Sequence, residues 1–409
     1  MSSVGATARA VVTGIGVTAP NGLGTEVWWS AVLRGESGIR PVSRFDAARY
    51  PARLAGEVPG FVAKDHVPGR LLPQTDHMTR LALVAAAEAL QDADIDPAGL
   101  PDYAAGVVTA SSAGGFEFGQ RELEALWSKG GKYVSAYQSF AWFYAVNTGQ
   151  ISIRHGLRGP SGVLVSEQAG GLDALGQARR HLRKGVKLVV TGGVDSALCP
   201  WGWAAHIAGG SLSTSDDPAR AYTPFAAGAR GSVAGEGGAL LVLEQERFAE
   251  ERGARVYGSI AGYAATFDPA PGTGGSRLRA AAELALADAG LAPEEVSVVF
   301  ADAAGDRAAD RAEAEAVAGL FGPYGVPVTA PKTMTGRLSS GGASLDVAAA
   351  LLALRDQVVP PTVNVDRPAE DCPIDLVTGS PRELPLANAL VLARGRGGFN
   401  AATVVRAQS

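Results

Sequence analysis

Short apolar segments alternate with amphipathic stretches along this chain of 409 residues, and the alternation occurs twice. Residues 11–18 form an apolar run with a glycine turn, and residues 76–92 carry apolar side chains at helical spacing. A charged stretch at 244–255 separates this first series from the second. Alternating strands and helices form a largely buried sheet with helices on its faces. The pattern therefore predicts an α/β fold of two halves, residues 1–250 and 251–409.

The other predicted elements follow the same order in both halves. Strands are expected at 105–109, 162–165, 187–190, 239–243, 257–263, 296–301, 326–329, 389–392 and 402–405. Helices are expected at 170–182, 276–289 and 308–320. Because no long flexible linker interrupts the chain, we expect the two halves to form one rigid body.

Charge and cysteine content limit the kinds of partner. The net charge is -5 and like charges are not clustered, so the attraction needed for a nucleic-acid backbone is missing. The two cysteines, Cys199 and Cys372, predict neither a disulfide framework nor a metal site. The sequence has no apolar run of about 18 residues and no basic-then-apolar N-terminal segment. We therefore expect a cytoplasmic protein that binds neither nucleic acid nor a membrane.

A polar residue, Gln168, stands between an apolar strand and a helix that opens with Gly170 and Gly171. This arrangement is typical of a nucleophile elbow, where free N–H groups at the helix N-terminus lower a thiol pKa or hold an oxyanion. Glutamine, however, is not a nucleophile. The residues alone favour a plain strand-to-helix turn in which the Gln168 amide caps backbone groups.

Motifs spread over nearly the whole chain resemble the β-ketoacyl synthases of the thiolase fold. They are Val12-Thr-Gly-Ile-Gly, the turn at Gln168, Thr191-Gly-Gly-Val-Asp, Pro224-Phe225, Gly235-Glu-Gly-Gly, Asp310 to Glu313, Pro331-Lys-Thr-Met-Thr-Gly and Gly395-Arg-Gly-Gly-Phe-Asn. The resemblance implies a layered αβαβα core built from two similar halves.

Further motifs resemble one branch of that family, the chain-length factor or β subunit of type II aromatic polyketide synthases. They are Gly114-Gly-Phe-Glu-Phe, Phe140-Ala-Trp-Phe-Tyr-Ala-Val-Asn-Thr-Gly-Gln, Glu167-Gln-Ala-Gly-Gly, Pro200-Trp-Gly-Trp and Ala393-Arg-Gly-Arg-Gly-Gly. This resemblance implies a subunit without cofactors that pairs with a catalytic α ketosynthase. Through that heterodimer it would meet a phosphopantetheinylated acyl carrier protein.

The residues that perform condensation in the resembled family are replaced. Those enzymes need a Cys that carries the chain as a thioester and two His that promote decarboxylation and stabilise the carbanion. Gln168 stands at the Cys position, Asp302 at the first His and Arg337 at the second. None of the five histidines falls at a catalytic position: His66, His77, His155, His181 and His206. Because a carboxylate repels an enolate, we expect a degenerate site with no catalytic residue.

Other functional positions of the resembled family are altered in this chain, and two are retained. The two Thr that hold the phosphopantetheine arm correspond to Ala304 and Asp306, and a gating Phe corresponds to Arg396, so the carrier-arm site is expected to be lost. Glu313 and Lys332 match family positions. With the catalytic groups gone, we expect these two to form a structural ion pair.

Four aromatic residues are candidates for the subunit interface. An obligate interface buries a large apolar area, which Phe140, Trp142, Phe143 and Tyr144 would supply. The alternative is that these side chains belong to the internal core.

The segment 116–127 predicts a helix with an apolar stripe formed by Phe116, Gly119, Leu123 and Leu126. The resemblance places the polyketide-gating positions on the first three. Gly119 has no side chain and Leu123 is smaller than an aromatic ring, so we expect a tunnel that continues past Phe116. A decaketide rather than an octaketide is the expected chain length. The alternative is an ordinary helix that packs on the core.

Two other functions stay open at this point. Family domains with Gln in place of the Cys act as malonyl decarboxylases that supply an acetyl starter, but they retain both His. Asp302 and Arg337 therefore argue against that activity here. The second alternative is a purely structural homodimer, which would form no complex with an α subunit.

Overall fold

The predicted strands of the first half are present in the computed structural model, which describes residues 9–270 and 273–408. The strands of this half are β1 (Ala10–Ala19), β2 (Gly22–Leu23), β3 (Ile39–Pro41), β4 (Leu54–Gly56), β5 (Ala105–Ala110), β6 (Ser161–Leu164), β7 (Leu188–Asp195), β8 (Ala234–Gly235) and β9 (Gly237–Gln245). Its helices are α1 (Thr25–Leu33), α2 (Ala63–His66), α3 (His77–Asp92), α4 (Phe116–Lys129), α5 (Gln138–Ala141), α6 (Val146–His155), α7 (Gly170–Arg183), α8 (Pro200–Ala208), α9 (Pro218–Ala221) and α10 (Glu246–Glu251).

The second half repeats the alternation with fewer elements. Its strands are β10 (Gly258–Phe267), β11 (Val298–Phe300), β12 (Pro327–Thr329), β13 (Val358–Val359), β14 (Asp375–Leu376), β15 (Arg382–Glu383), β16 (Asn388–Gly395) and β17 (Phe399–Ala407). Its helices are α11 (Leu278–Ala289), α12 (Arg307–Phe321) and α13 (Ser340–Asp356).

The two halves have the same sheet plan. In the first half β6, β5 and β7 run parallel and are followed by antiparallel β9 and β1. In the second half β14, β12, β11 and β16 run parallel and are followed by antiparallel β17 and β10. Strands β1 and β10 pair with each other, Val11 opposite Ser259, so the two arrays join at that edge.

Helices form three layers around these strands. On the outer faces, α3 packs on β1, β9 and β7, and α11 packs on β10 and β17. Between the arrays lie α7 and α13, each of which contacts strands of both halves. The expected αβαβα arrangement of a thiolase-like α/β fold is therefore confirmed.

Close helix–strand packing depends on small residues. A Cβ atom on Gly16 of β1 would lie 1.9 Å from the carbonyl oxygen of Ala85 in α3, so only glycine permits this approach. Where the central helices cross, a Cβ atom on Gly171 of α7 would lie 2.7 Å from the Ser344 amide nitrogen of α13. The second glycine after Gln168 thus sets how closely α7 approaches the centre of the molecule. No helix within the described ranges is long and apolar enough to cross a membrane.

Candidate functional site

The turn that carries Gln168 has the geometry of an elbow. Strand β6 ends at Leu164, a short 3₁₀ turn follows, and α7 begins at Gly170. Glu167 adopts a φ of 52°, a left-handed conformation that an L residue rarely adopts and that concentrates at functional sites. The Gln168 side chain is buried, and its Oε1 atom would lie 2.9 Å from a Cβ atom on Gly342. Within residues 9–270 and 273–408 the Gln168 amide makes no hydrogen bond to the backbone, so the predicted capping is not seen.

Asp302 and Arg337 lie together in a buried ion pair. Arg337 Nη2 is 3.0 Å from Asp302 Oδ1, and Arg337 Nη1 donates to the Asp302 carbonyl oxygen at 2.7 Å. A second cation, Arg394, places Nε 3.3 Å from Oδ2 and donates its backbone N–H to Oδ1 at 2.9 Å. Burial acts to raise the pKa of Asp302, but the charges of Arg337 and Arg394 outweigh it and lower this pKa to about 2. The carboxylate is therefore ionised and fully engaged.

The expected ion pair between Glu313 and Lys332 is wrong. Glu313 pairs instead with Arg394, Oε2 to Nη2 at 3.0 Å, and accepts the backbone N–H of Asp302 at 2.7 Å. Lys332 pairs with Asp346 of α13, Nζ to Oδ2 at 2.7 Å. The tertiary fold brings a nearer opposite charge to each residue, from β16 in one case and α13 in the other.

These six side chains form what we call the buried charge network. Its members are Asp302, Glu313, Asp346, Lys332, Arg337 and Arg394. Three acids face three bases, so every buried charge has a partner, as a charge in a dry interior requires. No neutral nitrogen base is present among them, and the network cannot perform the proton and enolate chemistry of two imidazoles.

A cavity with a volume of about 320 Å³ lies beside the elbow. Gln168, Arg337, Arg396 and Phe116 line it, whereas Asp302, Ala304 and Asp306 do not. The cavity therefore brings three residues together. Gln168 is at the position assigned to the nucleophile, Arg337 is at the position assigned to one of the histidines, and Phe116 is the first residue of the predicted stripe.

The carrier-arm positions have acquired other contacts. The Arg396 backbone N–H donates to Glu167 Oε2 at 3.0 Å, and its guanidinium donates to Ser211 Oγ at 3.1 Å. A Cβ atom on Gly209 would lie 2.3 Å from this guanidinium, so the side chain covers the end of α8. Asp306 caps α12 by accepting two N–H groups of its first turn, at 3.1 and 2.9 Å. Arg396 therefore connects the elbow to the end of α8, whereas Asp306 stabilises its own helix.

Helix α4 carries the predicted stripe, and Trp201 covers its first turn. The rings of Phe116 and Trp201 have centroids 4.5 Å apart. A Cβ atom on Gly119 would lie 3.2 Å from Trp201 Cζ3 and 3.6 Å from Trp142 Cβ. Trp201 therefore occupies the space that the missing Gly119 side chain leaves open. The sequence analysis assigns no role to Trp201, because some eighty residues separate it from α4, although it lies in the Pro200-Trp-Gly-Trp motif.

The far end of the stripe and the candidate interface residues are on the surface. Leu123 and Leu126 are exposed, and so are Trp142, Phe143 and Tyr144, while Phe140 is partly buried. We call the three exposed aromatic residues, Trp142, Phe143 and Tyr144, the aromatic surface. Phe143 and Tyr144 pack on each other with ring centroids 4.2 Å apart. These side chains are not internal core of the single chain, and monomeric proteins rarely expose such patches without a partner.

The fold defines a class of protein, the thiolase-like α/β proteins, and at the elbow of this chain stand Gln168 and the closed Asp302–Arg337 ion pair. Comparison with known proteins agrees. The Beta-ketoacyl synthase N-terminal domain matches residues 7–249 and the C-terminal domain matches residues 257–366. The chain belongs to the β-ketoacyl synthase family.

Two relatives place it more narrowly. The tetracenomycin polyketide synthase ketoacyl synthase beta subunit of Streptomyces glaucescens is 61% identical over 404 residues, covering 98% of this chain and 99% of the relative. The solved structure of the ishigamide ketosynthase/chain length factor has a TM-score of 0.90 at 28% identity, covering 99% of this chain and 100% of the other. Within its family this chain is a polyketide ketosynthase β subunit of the chain-length-factor type.

Proposed function

We propose that this chain is the non-catalytic subunit that sets chain length in a minimal type II polyketide synthase. It pairs with a catalytic α ketosynthase and meets the acyl carrier protein through that complex. One solved relative, with a TM-score of 0.88 at 27% identity, is described as a type II PKS acyl-carrier protein in complex with its ketosynthase bound to the hexaketide. A cytoplasmic location is part of the proposal, in keeping with two free, buried cysteines.

The observation that carries the proposal is the buried charge network. Condensation needs a thiolate and neutral imidazoles, and this chain presents Gln168 and a closed Asp302–Arg337 pair at those positions. The same pair argues against a malonyl decarboxylase, because that reaction also needs a donor that stabilises an enolate. Arg337, the member of the pair that reaches the cavity, is already engaged by Asp302, so no neutral imidazole donor stands there.

The tunnel is the finer part of the proposal. We propose that Phe116, Gly119 and Leu123 line this subunit's side of the polyketide tunnel and that the chain reaches decaketide length. Support comes from the position of α4, whose first turn borders the cavity while Leu123 is 38% exposed beside the aromatic surface. A partner that covers the aromatic surface would also cover the exposed side of α4 at Leu123. Because Trp201 occupies the space beside Gly119, the proposed tunnel passes this point only where the Trp201 ring moves aside.

The test is reconstitution with the α subunit and the carrier protein, followed by mass measurement of the released chain. Gly119→Thr and Leu123→Phe should each shorten the main product, because both add bulk to the wall. Leu284→Phe is the matched control, since Leu284 is an exposed leucine on the outer helix α11 and its enlargement should change nothing.

Four results would contradict parts of the proposal. Unchanged length in both α4 variants would remove the tunnel assignment, and an octaketide as the parent product would remove the decaketide assignment. Acyl groups attached to this polypeptide during turnover, or carbon dioxide released from malonyl carrier protein by this chain alone, would remove the non-catalytic role.

A further inference from the structure

Helix α4 begins without a cap of its own. The residue before it is Gly115, which has no side chain to accept the free N–H groups of the first turn. The Phe118 N–H instead donates to Asp76 Oδ2 at 2.7 Å, although 42 residues separate the two in sequence. Asp76 therefore caps α4 from outside the helix.

The same carboxylate also caps α3. Asp76 is its N-cap residue, and Oδ1 accepts the Met78 N–H at 2.7 Å. Helix α3 packs on three strands of the first half and is one of the firmly held elements of the fold. One buried carboxylate thus ties the first turn of α4 to the rigid core.

The packing around this carboxylate leaves little room for either helix to move. A Cβ atom on Gly115 would lie 2.9 Å from Asp76 Cβ and 2.3 Å from the Ala141 carbonyl oxygen. Asp76 itself is fully buried. The backbone of α4, the segment that leads to the aromatic surface, and Asp76 meet here within van der Waals contact.

We propose that Asp76 is a positioning residue for chain-length control, an inference that rests on the proposed function of α4. It holds the backbone of Phe118, whose neighbours Phe116 and Gly119 face Trp201. Because Trp201 Cζ3 lies only 3.2 Å from the place that a Cβ atom on Gly119 would take, a shift of a few tenths of an ångström in this turn changes the space between them. The carboxylate touches no substrate and acts only through α4.

Three variants of the reconstituted complex test this. In Asp76→Asn an amide N–H₂ group replaces one of the two carboxylate oxygens. It then faces a backbone N–H donor and cannot accept its hydrogen bond. Asp76→Ser is the milder variant, because serine still caps α3 but is too short to reach Phe118. The control is Glu88→Gln on the same helix, since Glu88 also accepts two backbone N–H groups, from Val17 at 2.9 Å and Thr25 at 2.6 Å, but does not touch α4.

We expect both Asp76 variants to broaden the distribution of product lengths. The ratio of altered-length to main-length chains should rise about fivefold or more, the effect of losing one hydrogen bond that holds the first turn of α4. Glu88→Gln should lower the yield at an unchanged ratio. Hydrogen exchange of the 116–126 segment should accelerate in Asp76→Ser and not in Glu88→Gln.

The possible failures are distinguishable. If Gly119→Thr and Leu123→Phe change the length while Asp76→Ser does not, the positioning role is wrong and the tunnel stands. If Glu88→Gln changes the ratio as much as Asp76→Ser, the effect is general destabilisation and the positioning role is again wrong. If no α4 or Asp76 variant changes the length, the tunnel assignment itself is wrong.

Discussion

The Asp302 carboxylate and the Arg337 guanidinium lie in direct contact, Oδ1 to Nη2 at 3.0 Å, at the two positions that the sequence motifs assign to the family's histidines. Both side chains are buried. An isolated charge of either sign would be strongly disfavoured there, whereas the pair satisfies both. The buried charge of each residue therefore depends on the other, and the pair acts as one structural unit.

This dependence predicts strong coupling in a double-mutant cycle. Asp302→Asn or Arg337→Gln alone should lower the free energy of unfolding by about 3–5 kcal/mol, because each leaves a buried charge without its main partner. The double variant should lose less than the sum of the two. Denaturant unfolding measures all four proteins.

The exposed pair Arg53–Asp216 is the matched control for that cycle, with side chains 45% and 58% exposed. Its single variants should cost no more than about 1 kcal/mol. Additive losses at Asp302 and Arg337 would contradict the idea that the pair acts as a unit.

The fold was largely predictable because most of its elements have a clear period. Helix α3 was expected at 76–92 and runs from His77 to Asp92, since only one of its faces is buried. Helix α13 was missed because its residues from Ser340 to Leu354 are buried on every side, which leaves no polar face to reveal a helical period. Its Asp346 is also the true partner of Lys332.

At the site, the sequence predicts which residues occupy the key positions but not which contacts they make. The motifs placed Gln168, Asp302 and Arg337 at the reactive positions, and the last two are in contact. The partners of Glu313 and Lys332 could not be predicted, because residues remote in sequence supply them. Contacts across the fold, such as Trp201 on Gly119, have no local sequence signal.

A second prediction concerns pH. Asp310 accepts the N–H groups of Phe225 at 2.9 Å and Gly305 at 3.0 Å, yet burial raises its pKa from the ordinary 3.8 to about 7. Between about pH 4 and 7 the folded state holds a proton that the unfolded state has released, so this group's contribution to stability falls as the pH rises. The slope approaches about 1.4 kcal/mol per pH unit at most.

Asp310→Asn should flatten the decline in unfolding free energy between about pH 4 and 7. Asp302 has the opposite sign: its pKa is lowered to about 2, so its contribution is present above about pH 4 and is lost as the pH falls toward 2. Unfolding measured across the pH range separates the two groups. An unchanged profile in Asp310→Asn would contradict the assignment.

A third prediction is that restoring the nucleophile does not restore condensation. Gln168→Cys would place a thiol at the N-terminus of α7 and on the cavity wall, where a small alkylating reagent should reach it faster than Cys199 or Cys372. Burial raises the pKa of both native thiols. Elongation and carbon dioxide release should nevertheless stay at the parent level, because Asp302 and Arg337 remain in place.

Gln168→Ser controls for the loss of the amide in that experiment. Mass spectrometry of the protein after incubation with malonyl carrier protein detects acylation, and a carbon dioxide assay detects decarboxylation. Release above the parent level from Gln168→Cys alone would show that the buried charge network does not block the chemistry.

A fourth prediction concerns the aromatic surface. Phe143 is 39% exposed and stacks on Tyr144, so a charge there should be tolerated by the single chain but not by a closed apolar interface. Phe143→Glu should weaken association with the α subunit by about tenfold or more, the usual effect of losing an aromatic anchor. Trp142 is a poorer choice, because its Cβ packs beside Gly119 and its loss would also disturb α4.

Leu284→Glu is the matched control, because Leu284 is 54% exposed on α11 and belongs to no predicted interface. Both variants should unfold near the parent temperature, and only Phe143→Glu should fail to co-elute with the α subunit in size-exclusion chromatography. Equal binding by the two variants would place the subunit contact elsewhere on the surface. The exposed side of α4 would then have no partner to cover it, and chain-length control by Gly119 and Leu123 would lose its structural basis.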